Sequence, residues 1–163
     1  MPDYLFTRFG MRLLEDAILE VQEKLKAASL EKGEEASGQD SWHDEGYKLA
    51  NVNEMMWSQR YHELKAILAQ AKLIVPREQN EEVSIGNGVR FRCEDGETEH
   101  CVLDGYLIKT VPNRVSYLSP LGRALLHAAK GGRVTFAGGG RTRSVAVEEI
   151  FAPSLLSTLP EFS

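Results

Sequence analysis

No stretch of this chain approaches the roughly 18 to 20 consecutive apolar residues that a membrane-crossing helix requires. The N-terminus has neither the basic nor the apolar region of a secretory signal, so a cytoplasmic location is expected. Cysteine is scarce: Cys93 and Cys101 are the only two in 163 residues. They sit in no metal-ligand spacing, and without an export signal they read as reduced thiols in a sheet. Positive charge is also in short supply, with a formal net charge of −5, which argues against wholesale coating of nucleic acid. Internal repeats are absent. The size suits one ordinary domain or two small ones.

What the chain does have is two apolar stripes at heptad spacing on either side of an acidic segment. Leu14, Ile18, Val21, Leu25 and Ala28 form the first, and Trp57, Tyr61, Leu64, Leu68 and Ala71 the second. Four-three spacing puts each set on one seam of a helix, and two such helices close in sequence bury their seams as an antiparallel hairpin. An arm of about 28 residues extends some 40 Å at the helical rise. Thr7 suits the N-cap of the first helix, which is expected to reach Lys32 and stop at Gly33. The second is expected from Asp44 to about Lys72. Ala50 continues its seam, whereas Glu54 falls where an apolar residue belongs, so Met55 and Met56 are expected to fill that packing. Between the arms lie Glu31, Glu34, Glu35, Asp40, Asp44 and Glu45, with Lys32 as the only base among them. The rod therefore carries negative charge at its far end.

After residue 75 the period changes. Residues 76–81 are polar and read as a linker. Val89, Phe91 and Cys93 alternate with Arg90 and Arg92, and Asp95-Gly96 suits a two-residue hairpin turn. That turn would pair Val89 with Val102 and Arg92 with Glu99. A third strand is expected near Arg114 to Tyr117. Ser119-Pro120 then opens a short helix, Ser as N-cap and Pro at the first helical position, ending at Gly131-Gly132. A last hairpin turns at Gly138-Gly139-Gly140, and residues 153–163 read as a loose tail. The fold class is α+β: a long antiparallel helical hairpin over 1–75 and a small antiparallel sheet domain with one short helix over 82–152.

Three stretches carry a family likeness. They are Phe6-Thr7-Arg8-Phe9-Gly10, the arm from Tyr47 through Glu63-Leu64, Leu68, Ala71 and Ile74, and Val115-Ser116-Tyr117-Leu118-Ser119-Pro120-Leu121-Gly122-Arg123-Ala124-Leu125-Leu126. Together they make the chain resemble the Gre family of bacterial transcript-cleavage factors. The resemblance implies an FKBP-like C-terminal domain and a hairpin that enters the secondary channel of RNA polymerase. Tip carboxylates would then help hold a second Mg²⁺ and a water for hydrolysis of backtracked nascent RNA. The ion would be shared with the polymerase active site, where hard oxygen ligands suit it. The polymerase would do the cleaving, so the chain would be no enzyme itself, and a monomer is expected. Ungapped, the family's tip Asp falls on Asp40 and its Glu on His43, with Asp44 and Glu45 following; a one-residue shift lets Asp44 take the second place. Asp40 and Asp44 are thus the candidate Mg²⁺ ligands, Asp40, Asp44 and Glu45 the candidate tip carboxylates, and Trp42, His43, Ser119 and Pro120 the candidate partner contacts.

Other readings stand beside these. The tip acids also suit a solvated loop at a helix start, and Trp42 suits a plug on the hairpin end. His62 lies about 28 Å along the helix from His43, too far to share a metal. Gly138-Gly139-Gly140 with Arg141 and Arg143 is better placed for a hairpin turn than for a phosphate cradle, since no helix follows it. A secondary-channel regulator without cleavage activity is the alternative function, and a prolyl isomerase or chaperone of FKBP type a more remote one.

Overall fold

The computed structural model describes residues 3–36 and 45–163; at Glu35 and Ala36 it describes the backbone alone. The elements in chain order are β1 (Tyr4–Phe6), α1 (Arg8–Ala36), α2 (Glu45–Ala69), β2 (Ala71–Leu73), β3 (Gly88–Cys93), β4 (Thr98–Asp104), β5 (Arg114–Ser116), α3 (Pro120–Leu125), β6 (Arg133–Gly138) and β7 (Arg141–Phe151). Two 3-10 segments, Pro153–Thr158 and Pro160–Phe162, close the chain. It divides into two compact units: Arg12–Ala71, and Asp3–Met11 with Lys72–Ser163. None of the described helices is long and apolar enough to cross a membrane.

In the first unit the heptad stripe is the buried seam. Leu14, Ile18, Val21 and Ala28 are buried on α1, and Ala50 and Leu64 on α2; Leu25, Trp57, Tyr61 and Leu68 are half-buried. Three contacts fix the pairing as antiparallel. Gln22 donates to the Tyr61 hydroxyl at 3.5 Å, Lys24 Nζ stands 4.6 Å from the Trp57 ring centroid, and Lys32 pairs with Glu54 at 3.1 Å. The last contact explains the carboxylate that interrupts the apolar pattern. Hydrogen bonds from Lys32 and then Ser29 hold the Glu54 carboxyl below its usual range. Met55 and Met56 do not fill the seam as expected; both are exposed, at 64% and 50%. Helix α1 also runs through Gly33 to Ala36, because one interior glycine costs only about 1 kcal/mol relative to Ala. Helix α2 stops at Ala69, short of Lys72, since the next residues leave the helix for the β1–β2 sheet.

The second unit is a five-stranded sheet in the order β5-β4-β3-β7-β6. Every pair is antiparallel except β4–β5, which is parallel. Its core is Val83, Val89, Phe91, Cys101, Leu103, Val145, Val147 and Ile150, with Leu125 of α3 laid over them. The β3–β4 register differs by one residue from the sequence expectation: Val89 faces Cys101 and Arg92 faces Thr98. The turn has three residues, Glu94-Asp95-Gly96, bracketed by Cys93 N donating to Glu97 O at 2.8 Å. Gly96, at φ 89°, takes the left-handed position such loops require. Arg92 accordingly pairs with Glu148, at 2.8 Å, instead of Glu99.

Three further segments depart from expectation. Helix α3 ends at Leu125, well before Gly131, as the chain turns through His127 at φ 68°. The last hairpin has a two-residue turn, Gly139-Gly140, both at positive φ. Residues 153–163 are no loose tail: Phe162 is buried, its ring 5.4 Å from both His100 and Phe151, and Glu161 pairs with Arg90. Within 76–81, Gln79 donates to Asn87 Oδ1 at 2.9 Å, and the fully buried Asn87 donates back to Gln79 O at 2.7 Å. That segment is bonded to the domain rather than a free linker.

Candidate functional site

The first candidate site is the junction of the two arms. Of its residues, Asp40, Trp42, His43 and Asp44 lie outside the described residues. Glu45 is the first residue of α2, exposed, with its carboxylate 3.5 Å from Lys48 Nζ. It is a hard oxygen donor suited to Mg²⁺, but one carboxylate does not make a site. Among the described residues, no three His, Cys, Asp or Glu side chains stand together to hold a metal.

The second candidate lies around Ser119 and Pro120. Ser119 Oγ accepts from Gly122 N at 3.0 Å and donates to Ser116 O at 2.7 Å, so one hydroxyl caps α3 and ties it to the end of β5. Pro120 takes the first helical position, where no donor is needed. The glycine of the motif has its own reason: a Cβ on Gly122 would lie 1.9 Å from Ser116 O. Ser119 and Pro120 line a cleft of about 580 Å³, with Leu107, Ile108, Leu121 and Phe136 as its apolar walls and Lys109 and Arg114 among its polar ones.

Arg114 leads to a polar centre that the sequence reading missed. It pairs with Asp104 at 2.5 Å, and the Asp104 side chain is fully buried. Asp104 also accepts from Thr7 Oγ1 at 2.5 Å and from its neighbour Gly105 N at 2.7 Å. Thr7 Oγ1 in turn accepts from Gly10 N at 3.3 Å, the expected N-cap bond of α1. The Arg114 guanidinium lies 3.7 Å above the Phe9 ring. Three residues of the Phe6–Gly10 motif thus find their reasons at one buried carboxylate. A Cβ on Gly10 would fall 2.7 Å from Tyr106 O, so the first turn of α1 has no room for one.

The cysteines belong to the core. Burial pushes the Cys101 thiol up to about 12, with Glu99 adding to the shift, and burial likewise raises Cys93.

The family model for the C-terminal domain of GreA/GreB transcription elongation factors matches residues 78–151. No curated protein matches the chain. Among solved structures, the transcription factor Gfh1 aligns at 22% identity over 91% of this chain and 97% of its own, with a TM-score of 0.45. The GreA factor homolog 1 of Thermus thermophilus aligns at 21% over 93% and 100%, with a TM-score of 0.44. A GreA/GreB elongation factor from Nitrosomonas europaea aligns at 21% over 93% and 99%, with a TM-score of 0.37. Residues 78–151, a little under half of the chain, are thus similar to the C-terminal domain of the GreA/GreB transcription elongation factors.

Proposed function

We propose that this protein binds RNA polymerase, places its paired helices in the secondary channel and stimulates cleavage of backtracked nascent RNA. The observation that carries the reading is a GreA/GreB-like C-terminal domain following two antiparallel helices whose connecting segment is acidic. The polymerase performs the hydrolysis; this chain contributes carboxylates. Asp40 and Asp44 are the proposed ligands to the weakly held Mg²⁺, with Glu45 beside them. A two-metal site needs negative charge to retain its second ion, and Mg²⁺ keeps several waters unless carboxylates supply the rest of its shell. When bound, that ion would polarise a water for attack on the RNA phosphodiester. Trp42 and His43 are proposed to meet the channel wall, and Ser119 and Pro120 a surface outside it.

The test is a stalled, backtracked elongation complex supplied with Mg²⁺ and saturating protein. Short 3′ RNA fragments are expected, and Asp40→Asn with Asp44→Asn should remove the stimulation while binding persists. Release of no fragments from a fully occupied complex refutes cleavage stimulation. His43 at the place of the family's tip Glu favours a second reading, a channel-binding regulator without cleavage. That reading predicts polymerase binding and displacement of an active cleavage factor, with no fragment release of its own.

A further inference from the structure

The charge along this chain is strongly segregated. From Gly105 to Val147 there is no Asp or Glu at all, yet Lys109, Arg114, Arg123, Lys130, Arg133, Arg141 and Arg143 all fall there. All 24 acidic residues of the chain, with only 12 of its 19 bases, lie outside that run. The run is not a strand or a loop but a surface region: it contains β5, α3, β6 and the start of β7, and thus nearly every wall of the Ser119–Pro120 cleft. Of its seven cations, only Arg114 has a carboxylate within ion-pair distance among the described residues. Lys109 lines the cleft directly. Arg143 borders it through two of its walls. Its guanidinium stands 5.8 Å from the Phe136 ring centroid, and its Cδ lies 3.5 Å from where a Cβ on Gly138 would be.

We infer that this cleft is a docking site for an acidic segment of a protein partner, one that inserts an apolar side chain between Leu107, Ile108, Leu121 and Phe136 and brings carboxylates to Lys109 and Arg143. Unpaired cations around an apolar depression attract an anion that also carries an apolar group. A phosphodiester backbone supplies the charge but nothing apolar. Bases would supply a stacking face, but the one aromatic ring in the cleft wall, Phe136, already has Arg143 against it. An acidic peptide with a Leu- or Phe-like anchor supplies both groups. Rim charges of this kind act mainly on the association rate and on salt dependence, while the apolar anchor sets the residence time.

The inference rests on the polymerase-binding reading and names the chemistry of the polymerase surface met by the C-terminal domain. Its test uses the full-length protein, fluorescently labelled, against RNA polymerase across a range of salt concentrations, with Lys109→Glu, Arg143→Glu and the double variant. Arg77→Glu, a reversal of the same size outside the acid-free run, is the control, and circular dichroism checks the fold of each. The expected result is a loss of about fivefold to tenfold in affinity per cleft reversal, carried by a slower association rate. The double variant should lose most of the salt dependence, and Arg77→Glu should change little. Unchanged affinity and salt dependence in the double variant overturn the inference and leave the polymerase reading standing. Failure of the unmodified protein to bind polymerase overturns both. Binding of unmodified protein to free duplex DNA or RNA as tightly as to polymerase, lost in the same variants, overturns it in favour of a nucleic-acid site.

Discussion

Asp104 is the residue on which most of the local order converges. A fully buried carboxylate is tolerable only when its oxygens are occupied, and here Thr7, Gly105 and Arg114 occupy them. Thr7→Val keeps the shape and removes both the N-cap acceptor and the donor to Asp104. It should cost about 1–2 kcal/mol in urea unfolding. Asp104→Ala strands the Arg114 charge and should cost about 3 kcal/mol. The two losses should combine less than additively, since both act on one network. Cys101 predicts a pH dependence of definite sign. Its folded value of about 12 lies above the ordinary 9.0, so its contribution is fully present below pH 9. That contribution is lost as the pH rises from there through the folded value. A Cys101→Val variant should lack this share of the alkaline loss, which parallel denaturation curves at neutral and alkaline pH would show.

At the scale of elements, the helices were easy to read and the turns were not. A seam of five apolar residues at heptad spacing leaves few alternatives, and Leu14, Ile18, Val21 and Ala28 are buried where that period places them. Helix ends are weaker signals. Gly33 reads as a stop, yet α1 carries it, because hydrogen bonds on either side outweigh one residue's propensity. The β3–β4 register shows how one residue escapes detection: Asp95-Gly96 serves two-residue and three-residue loops equally well, and only the bracketing Cys93–Glu97 bond decides. Ser119 and Pro120 were legible because cap chemistry is local, whereas the reason for Gly122 was not, since it lies in a carbonyl from β5. Gly122→Ala should therefore cost about 3 kcal/mol, more than Gly10→Ala at about 1–2 kcal/mol. Thermal melts of the two variants would rank them.

For the whole molecule, the sequence order and the compact units do not coincide. Asp3–Met11 belongs with Lys72–Ser163, held by Tyr106 N donating to Leu5 O at 2.6 Å, Leu5 N to the Tyr117 hydroxyl at 3.1 Å, and Thr7 to Asp104. A fragment beginning at Lys72 would leave Asp104 without Thr7. It should unfold at lower denaturant than the same domain in the full chain, which hydrogen exchange of the β3 and β4 amides in denaturant would show. Linear reading missed this because the partners stand 97 residues apart. It also missed the cationic cleft, although the absence of any acid from Gly105 to Val147 was visible in the letters. The acidic connector was plain from composition; its proposed role is that Asp40 and Asp44 help the polymerase hold its second Mg²⁺. The most direct measurement is RNA fragment release from a backtracked complex as a function of Mg²⁺ concentration, with the factor saturating. The protein should lower the Mg²⁺ needed for half-maximal cleavage, and Asp40→Asn with Asp44→Asn should restore the factor-free requirement. Superimposable Mg²⁺ curves for the unmodified and doubly substituted proteins would contradict it.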